Sequence, residues 1–171
     1  MEPEKHEDAA CFSIVLLLRE PHAYDKEELR LAAQKTWGAP FQTEPGDGNL
    51  VIGSGPRIIM KAGRHFLTFP SAAQPYSDDP QQISELLPLG QRRLWMQHRA
   101  WIALDYMKGG NDRILEYGVL ARLAAEMLTD NCVGIFLPES GDFLPNDASL
   151  DAALRRIAAE QDTGLGSQDA R

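Results

Sequence analysis

One pattern of predicted secondary structure occurs twice along the chain, and it constrains the fold more than any other feature. In each copy a short apolar strand leads into an amphipathic helix, and further strand-like segments follow. The first copy comprises residues 12–18 and 25–37 with the segments around Val51, Ile58 and Phe66, and the second comprises residues 100–106, 112–128 and 132–137. The pattern predicts an α+β fold, with a ferredoxin-like antiparallel or mixed sheet and helices on one face. The two copies are candidates for fused half-repeats.

The length and composition of the chain are those of one globular unit. It has 171 residues, of which 43% are hydrophobic, so it can bury one substantial core. We predict a single domain over residues 1–171, with pseudo-halves at about 11–88 and 91–161. The polar ends, residues 1–10 and 162–171, are predicted to be flexible.

The charge of the chain argues against a nucleic-acid partner. The formal net charge is −8, whereas nucleic-acid binding depends on a basic surface that neutralises phosphates. The nearest approach to a basic patch consists of Arg92, Arg93, His98 and Arg99, with Trp95 and Trp101 between them. Such a group across a predicted turn is more often a solvated face, so no nucleic-acid partner is predicted.

The amino-terminal segment and the cysteines indicate a cytoplasmic protein. Residues 1–8 are polar and charged, without the basic and apolar regions of a signal peptide. Apolar runs are far shorter than the roughly 20 residues of a membrane span, so no membrane partner is predicted. Cys11 and Cys132 form no zinc-binding pattern, and a disulfide between them would require neighbouring strands. Two reduced thiols in the cytoplasm are the favoured interpretation.

The first half begins with clear signals for a strand and a helix. Ile14 to Leu18 is a continuous apolar run, which is typical of a central strand covered on both faces. Asp25 is the predicted N-cap of the next helix, and Glu28 would complete a capping box. Gly38 and Pro40 are expected to end that helix.

The remaining elements follow from periodicity and from turn residues. Short strands joined as antiparallel hairpins are predicted at residues 50–52, 57–61 and 65–69, and a short helix at residues 81–87, closed by Pro88 and Gly90. In the second half, Ile102, Leu104 and Tyr106 are expected on one face of a strand, with Trp101, Ala103 and Asp105 on the other. The next helix carries an apolar stripe formed by Leu115, Val119, Leu123 and Met127. Asn146 or Asp147 caps a final helix that ends at about Glu160.

No motif for a cofactor is present. Gly53-Ser-Gly-Pro56 resembles a phosphate-binding loop only superficially, because strand-like residues follow it where a helix N-terminus would be needed. Ser54 also lacks the Gly-x-Ser-x-Gly spacing of a nucleophile elbow. We therefore predict no cofactor and no metal.

Four side chains are candidates for catalysis. His65 and His98 each open a predicted strand, so they could meet at one edge of the sheet and act as general acid and base. Glu139 and Asp142 follow the last predicted strand and could form a carboxylate pair. Each candidate also has an ordinary structural interpretation, namely a histidine at the start of a strand or a polar turn.

The second half resembles an uncharacterised bacterial domain family of unknown function. The similar segments are His98-Arg-Ala-Trp-Ile-Ala-Leu-Asp105, Leu120-Ala-Arg-Leu-Ala124 and Val133-Gly-Ile-Phe-Leu-Pro138, together with the first strand and Pro21. The resemblance covers about residues 12–147 and implies a ferredoxin-like α+β pattern. No activity is established for that family, so the resemblance assigns no functional residues.

The sequence leaves several classes of function open. The favoured hypothesis is a non-enzymatic α+β module that binds a protein partner or a small ligand, as a homodimer. The alternative is a hydrolase-type enzyme using His65 or His98 with Glu139 or Asp142. A third hypothesis is a regulatory or immunity-type protein whose acidic surface blocks a basic partner.

Overall fold

The computed structural model describes residues 12–107 and 113–159, and the ends predicted to be flexible lie outside these ranges. The described residues form an α+β fold with five α-helices and eight strands. The strands are β1 (Phe12–Leu18), β2 (Leu50–Ile52), β3 (Ile59–Ala62), β4 (His65–Thr68), β5 (Ser71–Ala72), β6 (Ala100–Tyr106), β7 (Cys132–Leu137) and β8 (Asp142–Pro145). The helices are α1 (Lys26–Trp37), α2 (Pro80–Leu86), α3 (Leu89–Trp95), α4 (Arg113–Met127) and α5 (Leu150–Ala159).

All eight strands belong to one open antiparallel sheet. Its order is β2-β3-β4-β6-β1-β7-β8, and β5 pairs with β6 beside β4. One isolated parallel bridge joins Gln42 to Leu50 at the outer edge of β2. The sheet therefore mixes strands from both predicted pseudo-halves, since β1 lies between β6 and β7.

Strand β1 is central in the sheet and is covered on both faces, as its continuous apolar run predicts. Ile14, Leu16 and Leu18 point to one core, whereas Val15 and Leu17 point to another. All five side chains are almost completely inaccessible to solvent. The alternation predicted for β6 is also confirmed, with Ile102 and Leu104 in the first core and Ala103 in the second.

The larger core lies between the sheet and a layer made by α1, α4 and α5. Helix α4 is the middle helix of this layer and contacts α1, α5, β1 and β6. Its buried hydrophobic residues are Val119, Leu120, Ala121, Leu123, Ala124, Ala125 and Met127. The helix is therefore apolar on several sides and not only along the predicted stripe, because neighbouring helices flank it.

The smaller core lies on the opposite face of the sheet and corrects the prediction of helices on one face only. Helices α2 and α3 cover this face near β7 and β8. The fully buried Trp95 of α3 packs against Phe136 and Phe143, with ring centroids 5.2 and 5.8 Å apart. A central strand with apolar residues on both sides needs a cover on each face of the sheet. For this second cover, the sequence pattern predicts the first short helix but not α3.

Two local elements differ from the sequence-based predictions. Residues 89–95 form α3, where the sequence predicts a closing turn, with Pro88 at the helix N-cap position. Proline fits there because the first helical positions need no backbone N–H donor. Residues 142–145 form β8, a strand that the sequence does not predict after the polar turn at 138–142, and they pair with β7.

The caps of α1 agree with the prediction except for the second half of the capping box. Asp25 accepts a hydrogen bond from the backbone N–H of Glu28 at 2.8 Å. The Glu28 carboxylate binds the exposed His22 ring instead of returning to the cap. Gly38 ends the helix in the left-handed conformation, with φ of 62°.

No helix within the described ranges is long and apolar enough to cross a membrane.

Replacement of Gly134 in β7 tests the packing of the β7–β8 hairpin. A Cβ atom at Gly134 would lie 2.5 Å from the Leu144 carbonyl oxygen and 2.6 Å from the Phe143 ring. We expect Gly134→Ala to lower the free energy of unfolding by about 1–3 kcal/mol, as measured by urea denaturation. Gly90→Ala is the matched control, because a Cβ atom there would have no other atom within 4 Å and alanine favours the helix. Equal stability of the two variants would contradict this packing.

Candidate functional site

His98 is buried and is held by two backbone groups. Its Nδ1 atom lies 2.5 Å from the Trp95 carbonyl oxygen, and its Nε2 atom accepts the Tyr76 N–H at 3.1 Å. A carbonyl only accepts and an N–H only donates, so the ring is neutral with its proton on Nδ1. Burial lowers the pKa of His98, and the bond to the Trp95 carbonyl offsets only part of that effect. His98 therefore fastens the loop at Tyr76 to the end of α3.

His65 is also buried, but at a different place. Its Nδ1 atom lies 2.5 Å from the Tyr106 hydroxyl oxygen, and Tyr106 belongs to the larger core. Burial lowers the pKa of His65, and the nearby positive charge of Arg64 lowers it further. The ring is thus a neutral, hydrogen-bonded member of the core rather than an exposed base.

The two histidines lie at opposite ends of β6. His65 contacts Tyr106 at the last residue of that strand, whereas His98 precedes its first residue, Ala100. Six residue steps along a strand span about 20 Å, so the two rings are far beyond hydrogen-bond reach. The structure does not bring them to one edge of the sheet, because β4 and β6 run antiparallel.

Glu139 lies at the same end of the sheet as His65, but on the far side of two strands. The turn of residues 138–141 joins β7 to β8, and Glu139 accepts a hydrogen bond from the Tyr117 hydroxyl at 2.7 Å. Strands β6 and β1 separate β4 from β7, which sets their axes about 14 Å apart. Asp142 is exposed at the start of β8, one strand further out. His65 and the two carboxylates therefore do not form one constellation.

Cys132 has the properties of a structural thiol. It is buried in the larger core, and burial raises its pKa to about 11. Cys11, the other half of the conceivable disulfide, lies outside the described residues. Among the residues that the structure describes, no group of three or more His, Cys, Asp or Glu side chains is placed to hold a metal ion.

An ion network joins the three helices of the larger layer. The Glu126 carboxylate receives Lys35 at 3.0 Å and Arg155 at 3.1 Å, and Arg155 also binds Asp151 at 3.0 Å. Burial alone would raise the pKa of Glu126, but its two cationic partners outweigh that effect and the pKa is lowered. A cleft of about 420 Å³ lies over this network. Lys35 and Arg155 already have carboxylate partners, so the network mainly ties α5 to α1 and α4.

The surface of α2 and α3 has a different character, because it exposes large apolar side chains. Leu86 is 81% exposed and Leu89 is 79% exposed, and these are the highest values among the large hydrophobic residues that the structure describes. Leu89, Arg92, Arg93 and Met96 recur at the spacing of one helix face, and Met96 is also exposed. We call Leu86, Leu89, Arg92, Arg93 and Met96 the α2–α3 surface.

The α2–α3 surface rests on a rigid support. The indole N–H of Trp95 donates to the Pro80 carbonyl at 3.0 Å, which ties the end of α3 to the start of α2. The Arg92 guanidinium donates to the carbonyls of Leu87 and Glu85, each at 3.0 Å. The two short helices are thereby fixed to each other and to the sheet.

Sequence reasoning did not identify this surface. The relevant signal is Leu86-Leu-Pro-Leu89, an apolar cluster that spans the end of the predicted helix 81–87 and its closing turn, followed by two arginines. The sequence does not show which of these leucines are exposed. Leu87 is buried with Trp95 in the smaller core, and that packing leaves Leu86 and Leu89 in solvent.

Comparisons with protein-family models, curated proteins and solved structures found no match to the chain.

Acidification is expected to destabilise the protein between pH 7 and pH 5. The lowered pKa values keep His65 and His98 neutral in the folded state, whereas unfolded histidines protonate below about pH 6.5. The unfolded state then binds more protons, so stability that is complete above pH 6.5 or so is lost as the pH falls. Urea denaturation from pH 5 to pH 8 measures this slope.

Replacement of His98 shows how much of the pH dependence of stability this residue contributes. His98→Phe should lower the free energy of unfolding by about 1–3 kcal/mol at pH 7, because the Tyr76 N–H loses this acceptor. The variant should also show a shallower pH dependence than the parent protein. His22→Gln is the matched control, since that histidine is exposed. An unchanged pH slope in His98→Phe would contradict a neutral, buried His98.

The Cys132 thiol should resist alkylation until the protein unfolds. At pH 8 a buried thiol with a pKa of about 11 forms almost no thiolate, and the thiolate is the reactive species. Treatment with iodoacetamide before and after denaturation, followed by peptide mass spectrometry, reports Cys132 separately from Cys11. Rapid labelling of Cys132 in native protein would show that β7 is more accessible than the structure indicates.

Proposed function

We propose that this chain is a non-enzymatic α+β module that binds a protein partner through the α2–α3 surface. The observation that carries the proposal is the adjacent pair Leu86 and Leu89, each about four-fifths exposed. A single exposed leucine is common on protein surfaces. Two such leucines three positions apart, with the exposed Met96 seven positions after Leu89, are typical of an interaction site.

The energetics support protein binding. Burial of one leucine side chain stabilises a complex by about 1.5–3 kcal/mol, and residues that bury in the centre of an interface dominate its affinity. The supports from Trp95, His98 and Arg92 hold the surface in one conformation before binding. A preorganised surface loses little conformational entropy when a partner docks.

A different protein is better supported as the partner than a second copy. Two copies that met through the α2–α3 surface would bring two sets of Arg92 and Arg93 into one interface without adding a carboxylate from that surface. Pairing of sheet edges is also disfavoured. Gln42 bridges the outer edge of β2, and β8 is short and ends in Pro145. The homodimer predicted from the sequence is therefore the less supported alternative, and light scattering tests for it.

The other candidate functions receive less support. The hydrolase hypothesis needs a histidine within hydrogen-bond reach of a carboxylate partner, and His65 and His98 are engaged by Tyr106 and by backbone groups. The small-ligand hypothesis would place the ligand in the cleft among α1, α4 and α5. The Lys35 and Arg155 side chains that line this cleft already form ion pairs with Glu126.

The proposal extends to the fold family. The strand order β7-β1-β6-β4, with α1 and α4 on one face, supports a ferredoxin-like core to which β2, β3 and β8 are added at the edges. On this basis the chain belongs with the uncharacterised bacterial domains that residues 12–147 resemble. A cytoplasmic location is part of the same proposal, and cell fractionation tests it.

Polar replacement of the two leucines tests the proposed function. Leu86→Ser/Leu89→Ser should fold normally, because both side chains are exposed, yet it should lose its partner. Proteins crosslinked to the parent chain in native cells are identified, purified and tested for direct binding by calorimetry. Leu31→Ser is the matched control, since Leu31 is 53% exposed on α1 and lies away from this surface.

The expected result is that the purified partner binds the parent chain and the Leu31 variant equally. The double variant should bind at least about a hundredfold more weakly, in line with two buried leucines. Equal binding by the double variant would show that the α2–α3 surface is not the docking site. Light scattering on the isolated chain detects a homodimer, which would contradict the proposed choice of partner.

A further inference from the structure

The α2–α3 surface carries a charge of opposite sign to the chain as a whole. The net charge of the chain is −8, yet residues 86–99 contain Arg92, Arg93 and Arg99 and no aspartate or glutamate. Arg93 and Arg99 are exposed. Arg19, at the end of β1, reaches the same neighbourhood, since it donates to the Gln97 side chain. The cationic groups on the α3 side of the exposed leucines therefore outnumber the one carboxylate next to them in the chain, that of the exposed Glu85.

These arginines are not neutralised within the described part of the chain. No ion pair in the described part of the chain involves the arginines at positions 19, 92, 93 and 99. Arg92 uses two of its N–H groups on backbone carbonyls, which fixes the guanidinium in place without cancelling its charge. Guanidinium groups that lack a carboxylate partner favour binding of an anion.

We infer that the partner of the α2–α3 surface is an acidic protein segment with apolar anchors. This inference rests on the proposed function and adds the chemistry of the ligand. Apolar side chains of the segment would cover Leu86, Leu89 and Met96, while its aspartates or glutamates would pair with Arg93 and Arg99. On one face of α3 and its C-cap residue, the apolar side chains of Leu89 and Met96 flank Arg92 and Arg93. One amphipathic segment can therefore make both apolar and charged contacts.

The charges also disfavour the two other surfaces that could dock here. A second copy using the same surface would double the number of arginines in the interface. An anionic membrane would attract the arginines, but it would repel the rest of a chain whose net charge is −8. An acidic segment is small enough to meet only the basic neighbourhood, and it therefore fits the charge distribution best.

Three synthetic peptides test the chemistry of the partner. They share one amphipathic leucine spacing and differ only in carrying glutamate, glutamine or lysine at the polar positions. Fluorescence anisotropy measures their binding to the full chain in low and in physiological salt. The glutamate peptide is expected to bind about tenfold more tightly than the glutamine peptide in low salt, and the lysine peptide most weakly. Added salt should reduce this preference.

Two variants separate the apolar contribution from the charged one. Arg93→Gln/Arg99→Gln should remove the preference for glutamate while leaving the affinity for the glutamine peptide unchanged. Leu86→Ser/Leu89→Ser should abolish binding of all three peptides. Arg57→Gln is the matched control, since this arginine is exposed next to β3 and outside the surface.

The outcomes distinguish failure of this inference from failure of the proposed function. Equal binding of the glutamate and glutamine peptides would overturn an acidic partner but leave the docking surface in place. Binding of no peptide would overturn the acidic segment, and calorimetry with the purified partner and the Leu86→Ser/Leu89→Ser variant then tests the docking surface separately. Binding to phosphatidylserine vesicles, lost in the arginine variant and without a matching preference for the glutamate peptide, would assign the surface to a membrane and overturn the inference.

Discussion

The whole structure depends on one strand that must be buried on both of its faces. Strand β1 is apolar at every position from Ile14 to Leu18, and it lies between β6 and β7 in the middle of the sheet. A strand of this kind is stable only if each face of the sheet has its own apolar cover. One face receives the layer of α1, α4 and α5. The other must be closed by the segment between β5 and β6, and this requirement explains why α2 and α3 exist.

The second cover consists of two short helices, so specific contacts hold it in place more than the burial of a large apolar surface does. Helices α2 and α3 have seven residues each, too few to be stable alone. The buried Trp95 packs against Phe136 and Phe143, and its indole N–H binds the Pro80 carbonyl. His98 then joins the end of α3 to the loop at Tyr76. A catalytic role for His98 is thus unnecessary to explain its burial, because its two ring nitrogens complete the cover.

Much of the fold could be predicted from local signals, whereas the candidate site could not. Strand β1, the two faces of β6 and the ends of α1 follow from the apolar run, the alternation and the caps at Asp25 and Gly38. The sequence pattern does not predict α3, because Pro88 and Gly90 are ordinary signals for a turn. Burial of Trp95 in the smaller core favours the helix, and this packing is not visible in a local pattern. The opposite placement of His65 and His98 depends on the antiparallel pairing of β4 with β6, which no local pattern specifies.

The same physical constraint accounts for the exposed leucines. A short helix that inserts one large side chain into a sheet has few positions left to bury, so its other apolar residues must face solvent. Leu87 and Trp95 occupy the inner positions at the ends of α2 and α3, and Leu86, Leu89 and Met96 are left outside. If solubility alone shaped this face, polar residues would serve there at no cost to the core. Three large apolar side chains beside arginines that pair with no carboxylate in the described part of the chain are therefore better explained by binding than by folding. Stability of the smaller core is then a condition for the proposed binding.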